Sequence, residues 1–476
     1  MISAMPPTPI QPKNLLARSL SAVWHPCSQM KHYEQFPLIP MTRGSGVWLY
    51  DTDENRYLDA VSSWWVNLFG HCNPRINAAL RDQLETLEHV MLAGFTHEPV
   101  VQLSERLREL APVGLGHCFY GSDGAAAIEI ALKMSAHYWR NMGEPHKTQF
   151  ISLQNSYHGE TLGALSVTDV ALFRDAYSAL IRQQTTVPSP DSRLAEVGES
   201  AKDFALRCAD ALEQHLQKHH TQLAAFIIEP LVQGAAGMAM YHPIYLQRAR
   251  RLCDEYGVHL IADEIAVGMG RTGTMFACEQ GSPLSPKGRG NKDSGTLPSP
   301  VDGRGAGGGG RGITPDFLCL SKGITGGYLP LSVVMTRDEI YQAFYADDTA
   351  RGFLHSHSYT GNPLACRAAL ATLDIFAQDN VLAANRDKAA YLNTMAHPLR
   401  DHPAVKNWRN TGMVWAFEVD SPHRDFAQRC FALGLKNEIL LRPIGNTVYF
   451  MPPYIVTNDE IDFIIQRTLK VVSQLV

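Results

Sequence analysis

Residues 315–336 read PDFLCLSKGITGGYLPLSVVMT. An apolar run, FLCL, leads to Ser-Lys, then to a glycine-rich turn, then to a second apolar run, LPLSVVMT. After Asp316 the only charged residue is Lys322. A lysine is costly to bury unless it is paired or neutralised. Lys322 therefore either extends its head to water from a strand end or is held neutral as a Schiff base, and this stretch alone does not decide which. The same kind of short apolar run recurs in LAAFIIEPL (223–231) and GVHLIADE (257–264). Such runs are typical of strands buried on both faces. Between and around them, PVVQLSERLREL (99–110) and GAAAIEIALKMSAHYW (124–139) place apolar residues at helical spacing. Strands alternating with helices predict an α/β fold with a mainly parallel sheet covered by helices.

The composition narrows the class of protein. The chain has 476 residues, 45% hydrophobic and 19% charged, with a net charge of -5. It is long enough for two or three domains, and without a basic block it carries no footprint for nucleic acid. No apolar run reaches the roughly 20 residues of a membrane span. The first residues, MISAMPPTPIQPKNLLARS, lack the apolar core of a secretory signal. Nine scattered cysteines without a C-x-x-C suit free thiols in a reducing cytoplasm. Residues 41–60 alternate apolar and polar around DTDEN and read as a hairpin. Residues 281–312 are Gly/Pro/Ser-rich with almost no large apolar side chain, and read as a flexible insertion in a surface loop.

Several motifs carry possible chemistry. HLIADEI puts Asp263 and Glu264 at the end of a buried strand, the edge where parallel sheets bind ligands. HCFYGSDGAAAIEIALK reads as strand, glycine turn and helix, so the N–H groups of Gly124 and Ala125 would open the helix as an anion seat; an ordinary βα turn reads the same way. NSYHGET (155–161) offers Tyr157 or His158 as a ring to stack on a flat ligand, although such loop aromatics are more often packing. SSWW (62–65) reads as core or pocket wall. GMGRTG (268–273) matches G-x-G-x-x-G, but no helix pattern or spaced acidic residue follows it, so a dinucleotide turn is rejected. His355 and His357 lack the further ligands a metal would need, so no metal is expected.

One cofactor accounts for the lysine, the strand-end aspartate, the helix N-terminus and the loop aromatic together. Pyridoxal phosphate needs a lysine for its aldehyde, an acid for its ring nitrogen and N–H donors for its phosphate. LIADEIAVGMGRTG followed by LSKGITGGYLPLS resembles the class III aminotransferases, which are fold-type I pyridoxal-phosphate enzymes. The resemblance runs from about Val23 to the C-terminus, apart from the insertion. It implies a large cofactor domain over residues 62–378 and a smaller α+β domain built from residues 1–61 and 379–476. VWHP, SSWW, NSYHGET, YHP, FACE, GNPLAC, LRPIG and MPPYI are similar to one subgroup. Its members move the amino group of S-adenosylmethionine to 8-amino-7-oxononanoate, giving 7,8-diaminononanoate for biotin synthesis by ping-pong kinetics.

The resemblance also implies residue roles. Lys322 would carry the cofactor and shuttle the substrate proton; Asp263 would hold the ring nitrogen protonated; Gly124 and Ala125 would bind the phosphate. Tyr157 would stack near the ring, and Trp64 would line the pocket. His357 and Ser358 would reach the phosphate across a homodimer interface, with Ser356 beside the substrate. Arg442 would clamp the carboxylate of the keto acid. Cys27, in WHPCS, stands where relatives with WHPYT place a substrate-recognising tyrosine, and Ala125 stands where the phosphate turn usually has serine. Ala235, in VQGAAG, replaces the gating glutamate of ornithine- and 4-aminobutyrate-type relatives. Two alternatives remain at this stage. One keeps the enzyme class with lysine or an ω-amino acid as donor. The other is a non-catalytic cofactor- or nucleotide-binding protein.

Overall fold

The computed structural model describes residues 12–280 and 312–476. The insertion read from the sequence, up to residue 311, and the first eleven residues lie outside the described residues. After helix Pro12–Ala22 the chain forms a meander of β1 (Met41–Ser45), β2 (Trp48–Asp51) and β3 (Arg56–Asp59). The DTDEN turn closes β2 on β3 because the Asp51 carboxylate accepts the N–H groups of Asp53 and Asn55, both at 2.9 Å. A second turn, with Gly46 at φ 59°, joins β1 to β2, so the expected hairpin is one half of a three-stranded unit.

The central sheet begins with β4 (Leu115–Gly121), β5 (Gln149–Leu153), β6 (Thr185–Val187) and β7 (Leu223–Ile228). A small hairpin follows, β8 (Val232–Gln233) with β9 (Ala239–Met240). The sheet is completed by β10 (His259–Asp263), β11 (Phe317–Leu320) and β12 (Ser332–Arg337). Its order is β4-β12-β11-β10-β7-β5-β6, and β12 runs against both of its neighbours. That reversal has a local cause. The chain leaves β11 through the short turn containing Lys322, Gly326 and Gly327 rather than through a crossover helix, and only an antiparallel return fits so short a link. Every residue of β7, β10 and β11 is buried. Helix Gly124–Asn141 packs one face with Ala127, Ile128, Ile130 and Ala131 fully buried, and helices Ala201–His219 and Ile244–Tyr256 bury apolar faces in the same core as the strands.

After Asp379 the chain forms β13 (Val405–Thr411), β14 (Val414–Val419), β15 (Ile439–Leu440) and β16 (Thr447–Phe450). β13, β14 and β16 make an antiparallel sheet around Trp415, Phe417 and Phe450, all fully buried. β15 pairs in parallel with β3, Leu440 opposite Asp59, so the first sheet joins strands from widely separated parts of the chain. None of the nine cysteines is in a disulfide. Among the described residues no helix is long and apolar enough to cross a membrane.

Candidate active site

The carboxyl ends of β7, β10 and β11 deliver Glu229, Asp263 and Lys322 to one cavity of about 270 Å³. Gly124 and Ala125 at the start of the helix after β4 line it, as do Tyr157, His158, Glu160 and Trp65. Lys322 sits in the left-handed region, φ 43°, which turns its side chain out of the strand line. Its Nζ lies 4.9 Å from the centre of the Trp65 ring. Burial pushes the ammonium below its usual range, and the carboxylates of Asp263 and Glu229 oppose that.

Asp263 is held by two bonds. Oδ1 accepts the Ile265 N–H at 3.1 Å, and Oδ2 meets His158 Nδ1 at 2.7 Å in a fully buried contact. A carboxylate only accepts, so Nδ1 carries the proton. His158 Nε2 is buried with no hydrogen-bond partner among the described residues. Glu229 accepts the N–H of Tyr157 at 3.0 Å and of Gly234 at 2.9 Å, fixing two walls of the cavity. Burial raises its carboxyl to about 7. The neighbouring Glu264 turns away and accepts the N–H groups of Ala277 and Cys278, so it fastens the following turn rather than the site.

The helix start expected as an anion seat lies at the cavity wall. Asp123 caps the helix by accepting the Ala126 N–H at 3.0 Å. The first N–H groups of a helix have no acceptor within it, and Gly124 and Ala125 carry them at the cavity wall. A side chain on Gly124 would press on Ile265, its Cβ falling 3.0 Å from Ile265 Cγ2. GMGRTG forms turns after β10 and opens no helix.

The wall built by SSWW is the least expected part. Ser62, Ser63, Trp64 and Trp65 all have positive φ, between 46° and 75°, and form one left-handed turn without a glycine. Such a conformation costs roughly 1–2 kcal/mol per residue. The turn sends its tryptophans to different places. Trp65 is buried and lines the cavity, with its indole N–H donated to Tyr449 Oη at 3.0 Å. Trp64 is not on the cavity wall; it is half-exposed, with the Arg442 guanidinium 4.3 Å above its ring.

Arg442 and Cys27 line a larger open cleft of about 850 Å³, together with Tyr33, Phe173 and Tyr177. Glu160 borders both spaces and accepts the Tyr157 hydroxyl at 2.9 Å. Ser356, His357 and Ser358 do not line the cavity within one chain. His357 Nδ1 instead meets Ser122 Oγ at 2.9 Å, just ahead of the helix start. Sequence reasoning passed over Glu160 and Glu229, chose Trp64 rather than Trp65 as the pocket tryptophan of SSWW, and treated His158 only as a stacking ring. Glu229 had the same signal as Asp263, an acid directly after a buried apolar run.

A model of the class III aminotransferases matches residues 29–286 and 306–472. The chain belongs to the class III aminotransferases. It is 44% identical to the adenosylmethionine-8-amino-7-oxononanoate aminotransferase of Helicobacter pylori, over 97% of this chain and 98% of that protein. The structure of the enzyme of the same name from Methanocaldococcus jannaschii superposes with a TM-score of 0.85 at 32% identity, over 97% of this chain and 99% of that one. An omega transaminase from Pseudomonas jessenii in complex with PMP superposes with a TM-score of 0.86 at 26% identity, over 97% and 98% of the two chains. Class III aminotransferases depend on pyridoxal phosphate. The residues present fit that group: a lysine of lowered basicity, a strand-end carboxylate, a helix N-terminus and a buried unpartnered imidazole nitrogen meet at one cavity.

Proposed function

We propose that this class III aminotransferase moves the amino group of S-adenosylmethionine to 8-amino-7-oxononanoate, yielding 7,8-diaminononanoate. The observation that carries the reading is the 44% identity to a relative of that name over nearly the whole of both chains. The Lys322 cavity and the cleft of Cys27 and Arg442 share Glu160 as a wall, which supports it. Bound there, pyridoxal phosphate supplies an aldehyde and an electron-withdrawing ring. In this reading Lys322 holds that aldehyde and then carries a proton on and off the substrate carbon, a task suited to an amine whose basicity burial has lowered. Asp263, braced by His158, keeps a proton on the ring nitrogen. Gly124 and Ala125 hold the phosphate by their N–H groups. Trp65 and Tyr157 shape the space between, and Arg442 binds a substrate carboxylate with its two-pronged guanidinium.

We also propose that the enzyme works as a homodimer, in which His357, Ser358 and Ser356 serve the partner's site. Leu354 and Tyr359 flank them and are 79% and 63% exposed, with exposed Met91 and Phe95 on a nearby loop; that is the kind of apolar surface a second copy would cover. Unpaired thiols suit a reducing compartment such as the cytoplasm.

The test is a half-reaction. The cofactor-loaded protein is mixed with S-adenosylmethionine and no acceptor, and the cofactor's visible absorbance is followed. Loss of the band, restored by 8-amino-7-oxononanoate, supports both substrates and their order. Loss only with lysine or an ω-amino acid would overturn the donor. No cofactor band at all would remove Lys322 from its role.

A further inference from the structure

The left-handed turn at residues 62–65 has no glycine to make it easy, yet it is heavily anchored. Asp59, fully buried at the end of β3, is its main fastening. Asp59 Oδ1 accepts the Ser63 N–H at 2.9 Å and the Val61 N–H at 3.3 Å. Oδ2 accepts the Ser63 hydroxyl at 2.7 Å and meets His71 Nε2 at 3.1 Å. Ser62 Oγ donates to the Met451 carbonyl at 2.7 Å. Backbone bonds from Trp65 to Val61 and from Val66 to Ser62 close the turn. Strain held in place by so many bonds is a mark of a functional constraint. What the turn holds is a pair of adjacent rings, one against the amine of Lys322 and the next against the guanidinium of Arg442. The two polar ends of the site thus rest on consecutive residues of one rigid element.

We propose that Asp59 and Ser63 are positioning residues that fix the distance between Lys322 and Arg442 by holding Trp64 and Trp65 in the left-handed turn. They set which length of substrate can span from the reacting carbon to its carboxylate. The inference rests on the reading of Arg442 as the carboxylate clamp.

The experiment uses the cofactor-loaded full chain and measures kcat and KM for 8-amino-7-oxononanoate. Ser63→Gly removes one hydroxyl bond to Asp59 and replaces a strained residue with one that adopts positive φ freely, so the variant is expected to fold with little change in Tm. Its KM is expected to rise at least fivefold while kcat stays within about twofold. Arg442→Lys is expected to raise KM as well. In the double variant the two effects are expected to be less than multiplicative, because both act on the same contact. If Arg442→Lys leaves KM unchanged, the clamp itself is refuted. If Arg442→Lys raises KM and Ser63→Gly does not, or if the two multiply independently, the positioning role alone is refuted. Asp59→Asn is a second probe, and a fall in its Tm with KM unchanged would count for a purely structural part and against the proposal.

Discussion

Replacing Glu229 by glutamine separates two things the carboxyl does. Its oxygens accept the N–H groups of Tyr157 and Gly234 at 3.0 and 2.9 Å. Glutamine keeps one acceptor and sets an NH₂ against the other N–H. A buried donor left unmatched costs about 1–3 kcal/mol, so the variant starts less stable. The carboxyl also carries a penalty of its own, because burial raises it from the usual 4.5 to about 7. With the folded value raised, the stability this group contributes is full below about pH 4.5 and is lost as pH climbs through about 7. At roughly 1.4 kcal/mol for each pH unit between those values, the wild type loses about 3 kcal/mol that the glutamine variant keeps. Urea unfolding of the cofactor-free chain from pH 5 to pH 8 measures this directly. The deficit of Glu229→Gln should shrink by about 3 kcal/mol across the series and can change sign. Stability curves that stay parallel from pH 5 to pH 8 would refute the account of a buried, reluctantly ionised acid.

Lys322→Ala should abolish turnover while leaving the fold intact, since its Nζ faces the cavity beside the Trp65 ring; near-normal turnover would remove the lysine from the reaction. His259 is buried against Trp139 and Phe317, and its imidazole is pushed down to about 4 from 6.5, mainly by burial. A lowered histidine favours the fold while neutral, so about 3 kcal/mol is lost as pH falls from 6.5 through 4, and His259→Gln should flatten that part of the acid-unfolding curve. Tyr157→Phe removes the hydroxyl bond to Glu160, which lines both cavity and cleft. It should raise the substrate KM several-fold with the cofactor still bound, as checked by steady-state kinetics and the visible spectrum.

Much of the site could be read from the chain because charge stands out at the end of an apolar strand. Asp263 and Lys322 each follow such a run, and the sheet edge brings them together. The helix start at Gly124 was legible for the same reason, a glycine turn between two periodic segments. The SSWW turn was not. Nothing in two serines and two tryptophans signals positive φ, and the conformation is imposed by Asp59, Met451 and Tyr449 rather than by local preference. Composition and spacing did not show the meeting of Cys27 with Arg442; only the family resemblance put both at the substrate, because tertiary packing sets those distant segments on one cleft. Glu229 was passed over although its position matched that of Asp263.

The pairing of β3 with β15 has a consequence for biogenesis. β3 finds its parallel neighbour only when Ile439–Leu440 has been made, and the turn that follows β3 is fastened to Tyr449 and Met451. Contacts this distant along the chain form late, because the loop between them must close first. A nascent chain that has emerged through β12 already holds the strand ends and the helix start, but not the fastening of the tryptophan turn to Tyr449 and Met451. Cofactor capture in finished form therefore waits for the last stretch of translation. A message cut short before Ile439 would yield a protein with every charged residue of the cavity and no completed site.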